Sequence, residues 1–83
     1  MKLGASELIL TFRKDGHMGV WIEGQVGDDT AWTFLAIDTT SPYTDTRPLR
    51  VAGVPEKRRY RVCFWDNGPT KLWCDVIEVT FGG

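Results

Sequence analysis

The sequence predicts an all-β fold, an antiparallel β-sandwich of about six strands. Turn-forming clusters rich in Gly, Pro, Asp and Asn recur at short intervals along the 83 residues. The runs between them alternate in polarity or are rich in β-branched and aromatic residues, and none keeps the period of an amphipathic helix. The expected strands cover residues 6–14, 18–27, 31–38, 43–51, 57–66 and 72–81. Together with the length, this pattern predicts one sandwich domain over residues 1–83.

Side-chain alternation along these strands predicts which residues face the core. The expected core residues are Leu8, Leu10, Phe12, Val20, Ile22, Val26, Tyr60, Val62 and Phe64. The opposite face of the same strands carries Trp21, Glu23, Arg59, Arg61, Cys63 and Trp65. The segment 32–37 is apolar on both sides, so alternation leaves its orientation open.

The last two strands predict an antiparallel hairpin around the turn-forming sequence Asn67-Gly-Pro-Thr70. A four-residue loop predicts six opposite pairs: Asp66 with Lys71, Trp65 with Leu72, Phe64 with Trp73, Cys63 with Cys74, Tyr60 with Ile77 and Arg59 with Glu78. Val62 would then face Asp75 on the inner side, and a bulge near Asp75 or a place at the rim would relieve this conflict. The facing cysteines predict a cross-strand disulfide in an oxidising compartment and two free thiols in a reducing one.

The stretch Val54-Pro-Glu-Lys-Arg-Arg-Tyr60-Arg-Val62 resembles the fibronectin type III pattern, in which a hydrophobic residue precedes a strand Tyr by six positions. The resemblance implies an immunoglobulin-like sandwich with strands B, C, C′, E, F and G, the four strands C′, C, F and G facing B and E. It also implies that the Tyr60 hydroxyl bonds to the backbone a few residues upstream.

The resemblance leaves no room for strand A, because the B-like run 6–13 begins almost at Met1. A missing strand A would make the B and E sheet two-stranded and leave the B edge open to another chain. A homodimer is therefore expected. The alternative is that residues 1–5 fold back as a stub of strand A.

The charge balance excludes a general attraction to polyanions. Ten basic and 11 acidic residues give a net charge of −1, so neither nucleic acid nor an anionic membrane is an expected partner. Residues 15–45 are acidic and 47–61 are basic, which predicts a charge dipole with solvated faces. No apolar run approaches the ~20 residues of a membrane span. If the chain is a complete reading frame, the absence of a signal peptide predicts a cytoplasmic location.

The sequence contains no recognisable catalytic or metal-binding motif. His17 is the single histidine and lies in a turn, whereas a general base needs a nucleophile and an orienting carboxylate within reach. The spacing of His17, Cys63 and Cys74 matches no standard zinc pattern. Calcium bound by Asp28 and Asp29 with Asp38 or Asp45 is the alternative to solvated loop carboxylates. The chain is therefore expected to be no enzyme and to need neither cofactor nor metal.

The function expected is a non-catalytic protein-binding or self-assembly module. The expected binding residues are Trp21, Glu23, Arg61, Cys63, Trp65, Leu72 and Cys74. They would form an apolar patch with a charged rim, and such patches mark interaction surfaces in which Trp and Arg are frequent anchors. The alternative is a carbohydrate-binding module, because Trp and Tyr on a β-sandwich can offer flat stacking platforms.

Overall fold

A computed structural model describes residues 2–3, 8–74 and 76–82 and confirms an all-β architecture of two antiparallel sheets. The strands are β1 Lys2–Leu3, β2 Ile9–Thr11, β3 Gly19–Val26, β4 Thr33–Asp38, β5 Tyr43–Thr44, β6 Glu56–Trp65 and β7 Ile77–Phe81. The smaller sheet has the order β1-β2-β5 and the larger sheet the order β4-β3-β6-β7. In the part of the chain that is described, no helix is long and apolar enough to cross a membrane.

The hydrophobic core lies between the two sheets and contains the residues that alternation predicts. Leu8 and Leu10, from the smaller sheet's side, pack against Val20, Ile22, Tyr60 and Val62 of the larger sheet, and none of the six is more than 4% exposed. Phe12 and Phe64 are partly buried against this cluster. Alternation was sufficient here because apolar residues recur at every second position on the core-facing side of these strands.

A β-bulge sets the orientation of β4, which the sequence left open. Ile22 pairs with Ala36, but its neighbour Glu23 pairs with Phe34, so Leu35 is an extra residue on β4. Leu35 packs against the core, whereas Phe34 turns to the opposite face and is 48% exposed. The bulge thus distributes the apolar residues of this strand over both faces.

The smaller sheet has three strands rather than the two expected. β1 pairs with β2, with Lys2 opposite Thr11 and Leu3 opposite Leu10, so a short strand lies where the fibronectin-like pattern predicted none. The pairing of residues 2–3 with β2 corresponds to the alternative prediction, in which the N-terminal residues fold back as a stub of strand A. The expected strand 43–51 is also shorter, because regular strand pairing ends at Thr44. After it, the Asp45 carboxylate accepts hydrogen bonds from the backbone N–H and the guanidinium of Arg47.

The final hairpin keeps the predicted register only at its far end. Arg59 pairs with Glu78 and Tyr60 with Ile77, as predicted. Nearer the turn the register shifts, because the Cys74 backbone N–H donates to the Val62 carbonyl at 2.9 Å, where the predicted register places Asp75. The bulge predicted at Asp75 lies outside the described residues.

Two residues in the left-handed region accompany this shift. Asn67 has φ 60° and Lys71 has φ 62°, and the loop is tighter than predicted, with Trp65 bridged to Pro69. A one-residue shift moves every following side chain to the other face. The predicted pairs nearest the turn are therefore wrong: Cys63 with Cys74, Phe64 with Trp73, Trp65 with Leu72 and Asp66 with Lys71. Both cysteines are free thiols.

Candidate binding surface

The larger sheet carries an aromatic and charged surface on the side facing away from the core, here called the outer face. Strand pairing places it there: Trp21 lies between Ile37 of β4 and Cys63 of β6, and Glu23 lies between Phe34 and Arg61. Trp32 and Trp73, which flank β4 and β7, complete it through their contacts with Arg61.

Arg61 lies between two indole rings. Its guanidinium carbon is 4.5 Å from the ring centroid of Trp32 and 3.9 Å from that of Trp73. These distances are those of cation–π contacts, which gain strength when the cation is partly desolvated. The Arg61 side chain is only 24% exposed, so the stack of Trp32, Arg61 and Trp73 shields the charge from water.

Glu23 neutralises this cation and fixes its geometry. Arg61 donates from Nε at 2.9 Å and from a terminal nitrogen at 2.6 Å to Glu23 Oε1. The indole N–H of Trp21 donates to the other carboxylate oxygen at 3.0 Å. The five residues Trp21, Glu23, Trp32, Arg61 and Trp73, here called the Arg61 cluster, thus form one connected arrangement in which the charges are paired.

An apolar strip borders the Arg61 cluster along β4. Phe34 is 48% exposed and Ile37 is 41% exposed. The Phe34 ring lies 4.5 Å from the ring of Trp21, tilted by 49°. The strip and the cluster are therefore continuous.

The structure brings together only part of the predicted binding set. Trp21, Glu23 and Arg61 belong to the cluster, and Cys63 lies opposite Trp21 but is only 1% exposed. Trp65 is half-buried at the end of β6, opposite Gly19. The ring that Trp21 contacts is that of Phe34.

Leu72 and Cys74 are not members of the Arg61 cluster, and their part in binding stays a prediction. Trp73 between them turns to the outer face, while Cys74 lines a cavity of about 460 Å³. Its other lining residues include the core-facing side chains Phe12, Val20, Val62 and Phe64. Leu72 is 75% exposed, outside the Arg61 cluster.

A buried ionic network lies on the side of the larger sheet opposite the outer face. The sequence predicted a solvated basic face for the residues 47–61 that contribute to it. The Arg58 side chain is 1% exposed and contacts Glu56 Oε2 at 2.8 Å. It also donates to the carbonyls of Arg47 and Pro48 at 3.0 and 2.8 Å and lies 4.6 Å from the Phe81 ring centroid. The prediction of solvation is wrong for this residue.

Tyr60 belongs to the same network. Its hydroxyl donates to Asp45 Oδ2 at 2.7 Å, a carboxylate 15 residues upstream, and not to the backbone as the family resemblance implied. Burial, together with this bond to Asp45, raises the pKa of Tyr60. Burial also acts to raise the pKa of Asp45, but hydrogen bonds from Arg47 and Tyr60 outweigh it and hold that pKa below its ordinary value.

His17 pairs with a carboxylate that the sequence did not associate with it. Its Nδ1 contacts Asp66 Oδ2, and the Met18 backbone N–H donates to Asp66 Oδ1 at 2.8 Å. The imidazole also stacks on the Phe64 ring, with centroids 4.0 Å apart. The hydrogen bond to His17 lowers the pKa of Asp66. Among the described residues no serine, threonine or cysteine side chain is hydrogen-bonded to His17. The contact with Asp66 joins the turn before β3 to the loop after β6.

The carboxylates considered for calcium do not converge. Asp29 forms two hydrogen bonds with Arg50 and accepts from the Val26 N–H, and Asp45 is enclosed by cations and Tyr60. Asp38 accepts from the Thr40 N–H at 2.9 Å. Within the described ranges no three His, Cys, Asp or Glu side chains are grouped to hold a metal ion. These carboxylates are therefore not grouped as a calcium site would require.

Comparisons with known proteins found no family model, no curated protein and no solved structure that matches the chain. The strand order β4-β3-β6-β7 with β2 beside β5 is the order C′, C, F, G and B, E that the family resemblance implied. Membership of the fibronectin type III family remains a prediction.

Acid is expected to destabilise the fold. The pKa values of Asp29, Asp45, Glu56 and Asp66 all lie below the ordinary values of 3.8 for Asp and 4.5 for Glu. These carboxylates bind protons at a higher pH in the unfolded chain than in the folded chain. Their contribution to the free energy of unfolding is therefore complete above about pH 4.5, and it is lost as the pH falls through their lower pKa values in the folded chain. Urea unfolding at stepwise lower pH measures this loss. An unfolding free energy that stays constant or rises below pH 4.5 would contradict it.

Proposed function

We propose that the chain is a non-catalytic protein-binding module whose partner docks on the Arg61 cluster and the adjoining apolar strip. The observation that carries this proposal is the placement of three indoles around one neutralised Arg–Glu pair, beside exposed Phe34 and Ile37. Contiguous apolar surface next to polar groups is typical of interaction sites. Trp and Arg are the residues most often found as energetic anchors in interfaces.

The cluster is preorganised for binding. Arg61 is held by two rings and by two hydrogen bonds to Glu23, so its rotamer is fixed before a partner arrives. Ordering a free side chain at an interface costs about 0.5–1.5 kcal/mol, and a fixed one avoids most of that cost. Because the guanidinium is already neutralised, a partner can cover it without leaving a buried unpaired charge.

The proposal of a non-catalytic role is supported by the surroundings of the single imidazole. His17 has an orienting carboxylate in Asp66, but its described hydrogen bonds include no hydroxyl or thiol that it could activate. Nucleophilic catalysis needs that contact as well as the carboxylate. The fold itself does not decide the question, since sandwiches host many activities.

The carbohydrate alternative is less well supported by the same geometry. Stacking on a sugar requires an open indole face. Trp32 and Trp73 each have one ring face against Arg61, and Trp21 is tilted against Phe34. All three indoles are half-buried, which leaves little flat aromatic area for a sugar ring.

Affinity capture with three matched variants tests the docking proposal. Trp32→Ala and Trp73→Ala each remove one ring from Arg61, whereas Trp65→Ala removes a half-buried indole outside the cluster. A protein retained from extracts of the source cells by the wild type and by Trp65→Ala should bind at least about tenfold more weakly to the two cluster variants, as expected for anchor residues. Circular dichroism checks that all variants keep the β signal.

Two results would count against the docking proposal. Equal binding of one protein partner by all four chains would place the contact elsewhere on the molecule. Binding to a glycan array that depends on Trp32 or Trp73 would favour the carbohydrate alternative.

A further inference from the structure

β4 is an edge strand without the usual protection against pairing. It is terminal in the larger sheet, and among the described residues no strand pairs with its other side. Exposed edges are templates for further strands, and most proteins blunt them with charged residues or proline. Residues 33–37 contain neither, whereas the opposite edge strand β7 carries Glu78, paired with Arg59.

We infer that β4 pairs with β4 of a second copy of this chain, extending the larger sheet across a two-fold axis. The inference deepens the proposed function, on which it rests, by naming one partner of the apolar strip. Phe34 and Ile37 would become buried in this contact. An antiparallel pairing of identical strands is isologous, so each copy presents the same surface to the other.

The bulge makes β4 symmetrical in the order of its faces. Phe34 and Ile37 lie on the outer face, opposite Glu23 and Trp21. The other four residues of β4, which are Thr33, Leu35, Ala36 and Asp38, face inwards. Leu35 packs on the core, and the other three lie opposite inward-facing residues of β3. The order inner, outer, inner, inner, outer, inner is the same in both directions. A six-residue strand without the bulge would alternate strictly and would not have this symmetry.

This symmetry defines one register for the pair. With the axis between Leu35 and Ala36, Phe34 faces Ile37 of the second copy and Thr33 faces its Asp38. Residues of like face then meet at every position, as an antiparallel pair requires. The two Asp38 carboxylates, the only charges in the strand, meet threonines and not each other.

The pairing would also align the two docking surfaces. An axis perpendicular to the sheet keeps both outer faces on the same side. The two four-stranded sheets then form one sheet of eight strands that carries both Arg61 clusters on one surface.

Charge substitutions at Phe34 and Ile37 test both the pairing and its register. Wild-type chain is expected to be a dimer by light scattering coupled to size exclusion and by sedimentation over a wide concentration range. F34K/I37K puts like charges opposite each other and should weaken the dimer at least tenfold. F34K/I37E puts an introduced lysine opposite an introduced glutamate at both contacts and should retain the dimer. The control L72K/V76K changes two exposed apolar residues outside β4 and should dimerise like the wild type.

Each contrary result overturns the pairing in a recognisable way. A monomeric wild type, or F34K/I37K that dimerises like the wild type, rules out the β4 contact, and F34K/I37E that stays monomeric rules out the register. A monomeric wild type that still loses a partner with Trp32→Ala would overturn the pairing alone. A dimer without any Trp-dependent capture would overturn the docking proposal and leave the pairing intact.

Discussion

Replacing Asp45 with Ala is expected to lower the free energy of unfolding by about 3–5 kcal/mol, the cost of removing one partner from a buried ion pair. The Asp45 side chain is 0% exposed and accepts the Tyr60 hydroxyl at 2.7 Å and two nitrogens of Arg47. Arg58, also buried, lies 3.4 Å away and would lose one of its two carboxylates. A domain of this size has a total stability on the order of 5–15 kcal/mol, so the loss is a large share of it.

Urea unfolding followed by circular dichroism measures this effect. Asp28→Ala serves as the control, because Asp28 is exposed and such changes usually stay within about 0.5 kcal/mol. A loss below about 1 kcal/mol for Asp45→Ala would show that Arg47 and Tyr60 find equal partners without the carboxylate.

Replacing Arg58 with Met is expected to cost about 2–4 kcal/mol. The change keeps a long apolar chain near Phe81 but removes the donor from Glu56 and from the carbonyls of Arg47 and Pro48. The cost should be smaller than that of Asp45→Ala, because Asp45 keeps its bonds with Arg47 and Tyr60.

The double variant Asp45→Ala/Arg58→Met separates ionic coupling from simple loss of packing. Removing both partners leaves less uncompensated charge, so its cost should be below the sum of the single costs by about 1–3 kcal/mol. Strict additivity in the same urea experiment would mean that the two side chains stabilise the fold independently.

The fold and its core could be predicted because they depend on local patterns. Leu8 and Leu10, like Val20 and Ile22, alternate with polar or outward residues, and a half-buried strand permits only one orientation for such a run. The register at Arg59 and Glu78 followed because it joins opposite charges and matches core residues to core residues.

The Arg61 cluster could be predicted only in part. Trp21, Glu23 and Arg61 follow from alternation on β3 and β6. The place of Trp32 could not be predicted, because the segment 32–37 is apolar on both sides and either orientation would bury a similar area. The bulge in β4 decides the orientation. Trp73 joins after a register shift near Lys71, a residue that gives no signal of positive φ.

The buried network had no local signal at all. Asp45 and Tyr60 are 15 residues apart, and neither their spacing nor their neighbours distinguish them from exposed residues. Arg58 lies in a run of basic residues that resembles a solvated face. Its burial follows from the tertiary position of the carboxylates and carbonyls around it, which the sequence order does not show.

The ion pairs described above cancel the separation of charge that the linear sequence suggests. Each arginine in the run 47–61 lies within 4.0 Å of a carboxylate: Arg47 and Arg58 at Asp45, Arg50 at Asp29, Arg59 at Glu78 and Arg61 at Glu23. Ion pairs of this kind cancel much of the field that the five arginines would project, so these residues add little long-range electrostatic guidance for an approaching protein. Encounters would then proceed at the ordinary orientation-limited rate, on the order of 10⁵–10⁶ per molar per second, and would change little with added salt.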